Sequence, residues 1–520
     1  MVKELRPMGA FTAYNYDSEG HLVSSTDANN KTTAYTYDAA GRVTAINYPA
    51  ANGVPAKSVS FTYDANGNLL TYNDGITSGT YTYDANNRKL TDAVNYGAFT
   101  LSSSYTYYKN GQKKSFTGAD GTVIKYTYDA ANQLQTLNIA GEGTLVYANY
   151  KWTAPTKIIL PGGGSKNYTY DALLRPTLIH MKDPAQNTLM RYAYAYDAAG
   201  NITVKNTEHG TYNYGYDIVD RLTSAISPTA QEAFAYDKVG NRIKHNSGSP
   251  WAYNANNELT SRPAISYQYD ANGSQIQKTE GTTVTDYIYD GSNRLSKVKQ
   301  GATTLASYAY DPFGRRISKT VNGTTTYYYY SDEGLAAEAV SSGTNGTGAI
   351  TQTYGYAPNS IWGTDPIYTK AGGSYHYYLN DHLGTPQQLA LKNGAKTWSA
   401  VYEAFGKATV TTSTITNNLR FPGQYADSET GLHYNWNRTY DNQIGRYIKA
   451  DPIGIRGGVN GYLYTNSNPI IYIDNKGLVC VTLYSFTIPL GSDSIDLHKV
   501  DSSRKCTTRS LSGLIRFTGL

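Results

Sequence analysis

The sequence predicts an all-β fold of stacked β-hairpins, which form a spiralling sheet or a partial hollow shell. Three observations predict it. The dipeptide Tyr-Asp occurs 13 times in 520 residues. Between about residues 11 and 325 these pairs, with degenerate copies, recur with a period of about 21 residues. Tyr accounts for 52 residues, while aliphatic residues are few for an ordinary core and charged residues make up only 16% of the chain.

Each repeat has the pattern of one β-hairpin. In the second repeat, Tyr35 and Tyr37 alternate along a strand and place their rings on one face. Asp38 then begins a turn, and Gly41 occupies a position that favours a left-handed backbone. Gly, Asn or Asp stands at this position in every Tyr-Asp repeat of the array except one, which has Leu174. The array comprises the repeats at Tyr16, Tyr37, Tyr63, Tyr83, Tyr128, Tyr170, Tyr196, Tyr216, Tyr236, Tyr269, Tyr289 and Tyr310, with degenerate copies at Tyr107, Tyr150 and Tyr253.

A single hairpin is marginally stable, so the repeats must stack side by side. Because strands twist, a sheet of this length must curl. Tyr suits a wall one sheet thick, since its ring packs along the sheet while its hydroxyl faces water or a backbone group. From periodicity alone, a flat or solenoidal array and a rolled shell both remain open, as does glycan binding by the tyrosine-rich surface.

A denser segment follows the repeats. It contains the motifs DHLGTP (Asp381 to Pro386), FPGQY (Phe421 to Tyr425), ETGLHYN (Glu429 to Asn435) and GRY (Gly445 to Tyr447). With these motifs and the repeats, the chain resembles the YD-repeat, or Rhs (rearrangement hot spot), family of bacteria. The resemblance divides the chain into repeats (1–325), degenerate repeats and a linker (326–374), an Rhs repeat-associated core (375–478) and a variable tail (479–520).

The resemblance also implies a self-cleavage site. Members carry two Asp-Pro-x-Gly-Leu boxes, which correspond here to boxes beginning at Asp451 and Asp474, together with an upstream arginine, here Arg438. The cut would fall between Leu478 and Val479. Two neighbouring carboxylates share a proton, so one can activate water while the other protonates the leaving amine. This sequence departs from the pattern at Ile455 and Asn475, and Asp-Pro-x-Gly is by itself a good turn sequence.

The function expected from the resemblance is the shell-and-core part of a polymorphic toxin, which encloses a C-terminal passenger and frees it by aspartyl self-cleavage. Any enzymatic activity would be a single-turnover autoproteolysis. The expected partners are the chain's own passenger, an N-terminal plugging or delivery partner and an immunity protein. The alternative is a cell-surface or wall-associated binding protein without enzymatic activity.

Other functions find little support in the sequence. The net charge is +5 with no basic block, so nucleic-acid binding by the shell is not expected. No cofactor motif is present. His376, Asp381 and His382 could suggest a metal site, but they do not provide three ligands at the spacing that such a site needs. No apolar run is long enough to span a membrane, and no signal peptide is recognisable. We therefore expect a bacterial protein that is cytoplasmic before non-classical export or delivery. Cys480 and Cys506 could pair or remain thiols.

Overall fold

The structure is a computed structural model that describes residues 1–342, 347–478, 480–481, 487–490 and 493–496. Val479 and Cys506 lie outside the described residues, so the cleavage bond and the cysteine pairing stay predictions. Among the residues described, no helix is long and apolar enough to cross a membrane.

These residues form 45 strands and two short 3-10 helices, at Gly454–Gly457 and Thr465–Ser467. The strands are β1 (Val2–Leu5), β2 (Phe11–Tyr16), β3 (Leu22–Thr26), β4 (Thr32–Tyr37), β5 (Val43–Tyr48), β6 (Lys57–Tyr63), β7 (Leu69–Asn73), β8 (Ser78–Tyr83), β9 (Lys89–Asn95), β10 (Thr100–Tyr107), β11 (Lys113–Thr117), β12 (Val123–Tyr128), β13 (Leu134–Ile139), β14 (Gly143–Lys151), β15 (Ala154–Ile159), β16 (Ser165–Tyr170), β17 (Pro176–Lys182), β18 (Thr188–Tyr196), β19 (Ile202–Thr207), β20 (Gly210–Tyr216), β21 (Leu222–Ile226), β22 (Gln231–Tyr236), β23 (Arg242–His245), β24 (Ala252–Tyr253), β25 (Leu259–Arg262), β26 (Ile265–Tyr269), β27 (Gln275–Glu280), β28 (Thr283–Tyr289), β29 (Leu295–Gln300), β30 (Thr303–Tyr310), β31 (Arg316–Val321), β32 (Thr324–Tyr330), β33 (Leu335–Ser342), β34 (Thr347–Gly355), β35 (Tyr368–Ala371), β36 (Ser374–Asn380), β37 (Pro386–Ala390), β38 (Lys396–Tyr402), β39 (Ala408–Ser413), β40 (Tyr425–Asp427), β41 (Leu432–Asn435), β42 (Arg438–Asp441), β43 (Arg446–Tyr447), β44 (Thr487–Leu490) and β45 (Asp493–Asp496).

The predicted all-β fold of stacked hairpins is confirmed. Within each sheet, every strand pairs antiparallel with the next strand along the chain. Strands β1–β23 form one sheet, which we call the first row, and β24–β39 form a second sheet, the second row. Strands β40–β43 form a separate four-stranded sheet, and β44 pairs with β45. The division into four segments stays a prediction, but the second row runs without a break in sheet pairing from residue 252 to residue 413.

The hairpin of β4 and β5 shows how one repeat folds. The Asp38 amide donates to the Arg42 carbonyl at 2.9 Å, and the Gly41 amide donates to the Asp38 carbonyl at 3.0 Å. Gly41 has φ 73°, as its position in the repeat predicts. The register shifts by one residue between Thr36 and Tyr37, so each hairpin ends in a bulge next to its turn.

The tyrosine of the Tyr-Asp pair links neighbouring hairpins. Its hydroxyl donates to the backbone carbonyl of a returning strand earlier in the chain, usually that of the preceding hairpin, as Tyr37 does to Leu22 at 2.8 Å. This bond, at 2.5–3.1 Å, recurs at Tyr37, Tyr63, Tyr83, Tyr107, Tyr128, Tyr150, Tyr170, Tyr196, Tyr216, Tyr236, Tyr253, Tyr289, Tyr310, Tyr330 and Tyr402. The degenerate copies at Tyr107, Tyr150 and Tyr253 keep this link although they lack the aspartate.

The two rows form a spiral. Contacts between them join residues far apart in sequence, beginning with Arg6 and Glu258, which are separated by 252 residues. The separation is still 250 residues between Asp120 and Lys370, and it falls to 172 between Glu232 and Ala404. The second row therefore runs beside the first in the same direction. Between these contacts the second row contains fewer residues than the stretch of the first row that it accompanies, so the spiral narrows towards its C-terminal end.

The wall is not one sheet thick throughout, because part of the second row is covered on both faces. In β32, Tyr329 packs with Val94 and Leu101 of the first row. Tyr328 and Tyr330 on the opposite face pack in the cluster that includes Tyr425 of β40. A strand buried on both faces needs apolar side chains at consecutive positions, which explains the four successive tyrosines 327–330.

The segment 417–478, which we call the plug, packs against hairpin turns of both rows. Its polar side chains bind backbone carbonyls at these turns. Examples are Tyr462 to Gly273 at 2.8 Å, Lys449 to Asn293 at 2.7 Å and Tyr440 to Phe405 at 2.8 Å. The plug thereby closes a ring of turns and carries both aspartate boxes into the interior.

Candidate functional site

Arg438 brings the two aspartate boxes together. It begins β42 and is nearly fully buried. Its Nη1 lies 3.1 Å from Asp451 Oδ2, and its Nη2 lies 2.8 Å from Asp474 Oδ2. One planar guanidinium therefore holds both carboxylates, each on its own terminal nitrogen. The structure thus places the three predicted catalytic residues in one cluster.

Arg438 also contacts the segment that leads to the predicted cut. Its Nε donates to the Gly477 carbonyl at 2.6 Å, one residue before Leu478. Gly477 has φ 66°, and a Cβ there would lie 2.4 Å from the Asn435 carbonyl oxygen, so only glycine fits. The arginine therefore fixes both the carboxylates and the approach of the chain to them.

Asp474 is held by three donors. Its Oδ2 accepts from Arg438 and from the Tyr447 hydroxyl, the latter at 2.8 Å. Its Oδ1 accepts from the Leu478 amide at 2.9 Å, which folds residues 474–478 into a turn over the carboxylate. The Asp474 carboxylate is therefore fixed by a guanidinium, a hydroxyl and a backbone amide at a position of 2% exposure.

Asp451 has a different environment. Burial raises the pKa of Asp451 to about 6, against the lowering effect of Arg438 and of the Ile453 amide. That amide donates to Asp451 Oδ1 at 3.0 Å. The nearby Asp474 raises this pKa further, and Lys449 lowers it. Asp451 is therefore the member of the pair that holds a proton up to weakly acidic pH.

A polar cavity of about 450 Å³ lies beside Asp451. The first box lines it with Asp451, Pro452 and Gly454, opposite first-row strands that include Tyr14 and Tyr35. Asp474 is absent from this lining, so water reaches the pair through the Asp451 side. The two environments can support acid–base chemistry, with one carboxylate ionised and the other protonated beside a water-accessible space.

The structure accounts for both departures from the family boxes. Ile455 is 80% exposed, so its replacement of leucine changes no buried packing. Asn475 donates its side-chain amide to the Trp362 carbonyl at 3.0 Å and so ties the second box to the second row. A proline could not make this bond. Neither departure displaces Asp451 or Asp474 from Arg438.

Sequence reasoning missed Tyr447 and Asn435. Asn435 donates its side-chain amide both to the Tyr447 hydroxyl and to the Asp474 carbonyl oxygen, each at 2.7 Å. Both residues lie within quoted motifs, ETGLHYN and GRY, but no spacing rule links them to the aspartates. Only the pairing of β41, β42 and β43 brings them beside Asp474.

The first described residues after the predicted cut are Cys480 and Val481. Val481 forms a β-bridge with Ile473, with backbone bonds of 2.8 and 3.0 Å. Cys480 is buried. The bridge closes the loop that contains Leu478 and the predicted cleavage bond.

Comparison with known proteins agrees with this architecture. The Teneurin YD-shell family model matches residues 179–470, and the RHS Repeat model matches residues 16–52. Double-stranded DNA deaminase toxin A of Burkholderia cenocepacia is 26% identical over 92% of this chain, and the chain spans 38% of that protein. The tRNA3(Ser)-specific nuclease WapA of Bacillus spizizenii is 29% identical over 80% of this chain and is covered over 16% of its own length.

Among solved structures, TcdB2-TccC3 without its hypervariable C-terminal region superposes with a TM-score of 0.76. The identity is 17%, over 90% of this chain and 27% of that one, so the similarity concerns the fold. The family model covers more than half of the sequence and includes the second row and most of the plug. The chain therefore belongs to the teneurin YD-shell family of YD-repeat, or Rhs, proteins.

Proposed function

We propose that this chain is the shell-and-core part of an Rhs-type polymorphic toxin, and that it frees a C-terminal passenger by aspartyl self-cleavage after Leu478. The observation that carries the proposal is the bridge from Arg438 to both Asp451 and Asp474. The same arginine holds the Gly477 carbonyl, so the chain to be cut and the two carboxylates share one anchor.

The reaction needs water and two carboxylates in opposite protonation states. Water from the cavity adds to the Leu478 carbonyl carbon and loses a proton to the ionised carboxylate. The protonated carboxylate gives its proton to the nitrogen of Val479 as the peptide bond breaks. The products are a carboxyl group on Leu478 and an amine on Val479, which balances one water consumed.

Toxin names among the relatives support a passenger function, and the spiral supports enclosure. The relatives named as a deaminase toxin and a tRNA nuclease are each longer than this chain. We extend to this chain the idea that a toxic segment follows the core. We further propose that it is exported or delivered from a bacterium and meets an immunity protein and an N-terminal plugging partner.

Intact-mass measurement of the purified protein tests the cleavage proposal. We expect two species, of 478 and 42 residues, with the cut after Leu478. Asp451→Asn and Asp474→Asn should each slow cleavage by roughly 100-fold or more, because acid–base groups contribute about that much. Asp441→Asn is the matched control, since Asp441 is also buried and lies in the same strand as Arg438, whereas the ion pairs of Arg438 among the described residues are with Asp451 and Asp474. A wild-type chain that stays at 520 residues would refute the proposal.

A further inference from the structure

Tyr447 lies at the centre of a buried hydrogen-bond chain beside the aspartate pair. It is 1% exposed, and its hydroxyl donates to Asp474 Oδ2 at 2.8 Å. The same hydroxyl accepts from Asn435 Nδ2 at 2.7 Å. Asn435 is fully buried and also donates to the Asp474 carbonyl oxygen at 2.7 Å. The phenol is therefore oriented from one side and can only direct its proton to the carboxylate.

We propose that Tyr447 is a positioning residue for self-cleavage, and that it fixes the orientation of the Asp474 carboxylate through its hydroxyl. Asn435 sets the direction of that hydroxyl. This inference rests on the proposed function, because it assigns a role within the same site. It concerns a residue outside the two aspartate boxes and outside the arginine segment.

The ring and the hydroxyl of Tyr447 have separate contacts. The Arg438 guanidinium lies over the ring, 3.7 Å from its centre. A phenylalanine keeps this cation–π contact and loses both bonds of the hydroxyl, the one donated to Asp474 and the one accepted from Asn435. The Asn435 side-chain amide still donates to the Asp474 carbonyl oxygen, and the arginine stays supported.

Among the described residues, four ionisable groups face Asp474. They are Arg438 and Asp451, together with Tyr447 of β43 and the buried Tyr464. Burial, followed by the charge of Asp474, holds the pKa of Tyr447 well above 10, so its hydroxyl remains protonated and a donor at all pH values of interest. Without this donor, the carboxylate pair loses a hydrogen bond that favours its ionised member, so the acid limb of the cleavage profile should lie at a higher pH.

The test follows cleavage of the full chain made by pulse-labelled cell-free synthesis and then diluted into buffers from pH 4 to 8. We expect Tyr447→Phe to cleave roughly ten- to a hundred-fold more slowly at the optimum, as expected for a lost hydrogen bond to a charged group. The acid limb of its pH profile should move upward by about one unit.

Tyr440→Phe is the matched control. Tyr440 is fully buried, lies beside Tyr447 with ring centres 5.8 Å apart, and donates its hydroxyl to the Phe405 carbonyl. It should lose a similar amount of thermal stability but keep the wild-type rate and profile. If Tyr447→Phe and Tyr440→Phe behave alike, or if only the rate and not the acid limb changes, the positioning role is wrong while the proposed function stands. If the wild-type chain does not cleave, the proposed function fails and this inference fails with it.

Discussion

At Asp451, burial and neighbouring charge act in opposite directions on one carboxyl group. Burial is the larger effect and raises its pKa to about 6, although Arg438 lies 3.1 Å away. The ionised form is thus disfavoured in the folded protein despite an adjacent cation. Arg438 shares its charge between two carboxylates. The free-energy cost of burying the charged form of Asp451 therefore exceeds the stabilisation that this form gains from Arg438.

The pH dependence of cleavage follows from this pKa. If Asp451 must be protonated to donate to the leaving amine, the cleavage rate should fall about tenfold per pH unit above about pH 6. A time course of the intact chain at pH 5 to 8 measures it. A rate that keeps rising between pH 6 and 8 would show that Asp451 acts as the base instead.

The same pKa has a consequence for stability. The folded value of about 6 exceeds the ordinary value of 3.8, so between about pH 4 and 6 the folded chain binds more protons than the unfolded chain. Asp451 therefore lowers the stability as pH rises through this window. Asp451→Asn should remove this part of the pH dependence of thermal unfolding.

At the scale of the hairpin, each of the four named residues in the Tyr-Asp-x-x-Gly-Arg repeat has a structural role. The tyrosine binds a hairpin earlier in the chain, the aspartate closes the turn, and the glycine takes the left-handed backbone. The arginine pairs with the aspartate of its own turn and reaches the next hairpin, as Arg42 does to Asp38 and to the Asp64 carbonyl at 2.8 Å. Most repeats are thus bonded to a hairpin on each side.

The turn glycines offer a test at this scale. Gly67 has φ 87°, and a Cβ there would meet nothing within 4 Å. Gly67→Ala should therefore cost only the backbone penalty, about 1–2 kcal/mol of unfolding free energy. Gly67→Asn should recover most of it, since asparagine accepts this conformation, as Asn87 does at φ 61° in the next turn. Denaturant unfolding of both variants measures the difference, and equal losses would contradict the backbone argument.

Neighbouring residues determine the form of a single hairpin but not its contacts with other hairpins. The period, the turn and the ring-bearing face of β4 follow from neighbouring residues, so they were predictable. The acceptor of the tyrosine hydroxyl was not, because the carbonyl of Leu22 becomes available only when two hairpins stack with a defined stagger. The same applies to Tyr447, whose partner Asp474 lies 27 residues away.

Over the whole molecule, polar and aromatic contacts hold the plug in the spiral. The Arg316 guanidinium of the second row lies 2.6 Å from Asp427 of the plug, and both side chains are almost fully buried. Four tyrosine rings surround this guanidinium, at 4.5–5.2 Å, from Tyr308, Tyr328, Tyr425 and Tyr434. Two of these rings belong to the second row and two to the plug, so one cation joins the wall to the core.

Removing this cation should loosen the plug. Arg316→Met leaves Asp427 buried with only Lys319 as a cation, and we expect a loss of about 3 kcal/mol of unfolding free energy. Adding Asp427→Leu should restore part of the loss. Lys407→Met, which breaks the partly exposed pair with Glu403, is the control and should change little. Chemical denaturation compares the variants, and equal effects of the two single variants would contradict the role of Arg316.

By itself the sequence determined the hairpin, its period and the two aspartate boxes, because these depend on residues close together in the chain. The tertiary structure alone decided which hairpins become neighbours across the spiral. That outcome depends on twist accumulated over more than twenty strands, which no local pattern records. It therefore decided that Tyr327 to Tyr330 are covered on both faces, that Arg438 joins Asp451 to Asp474, and that Tyr447 stands beside them.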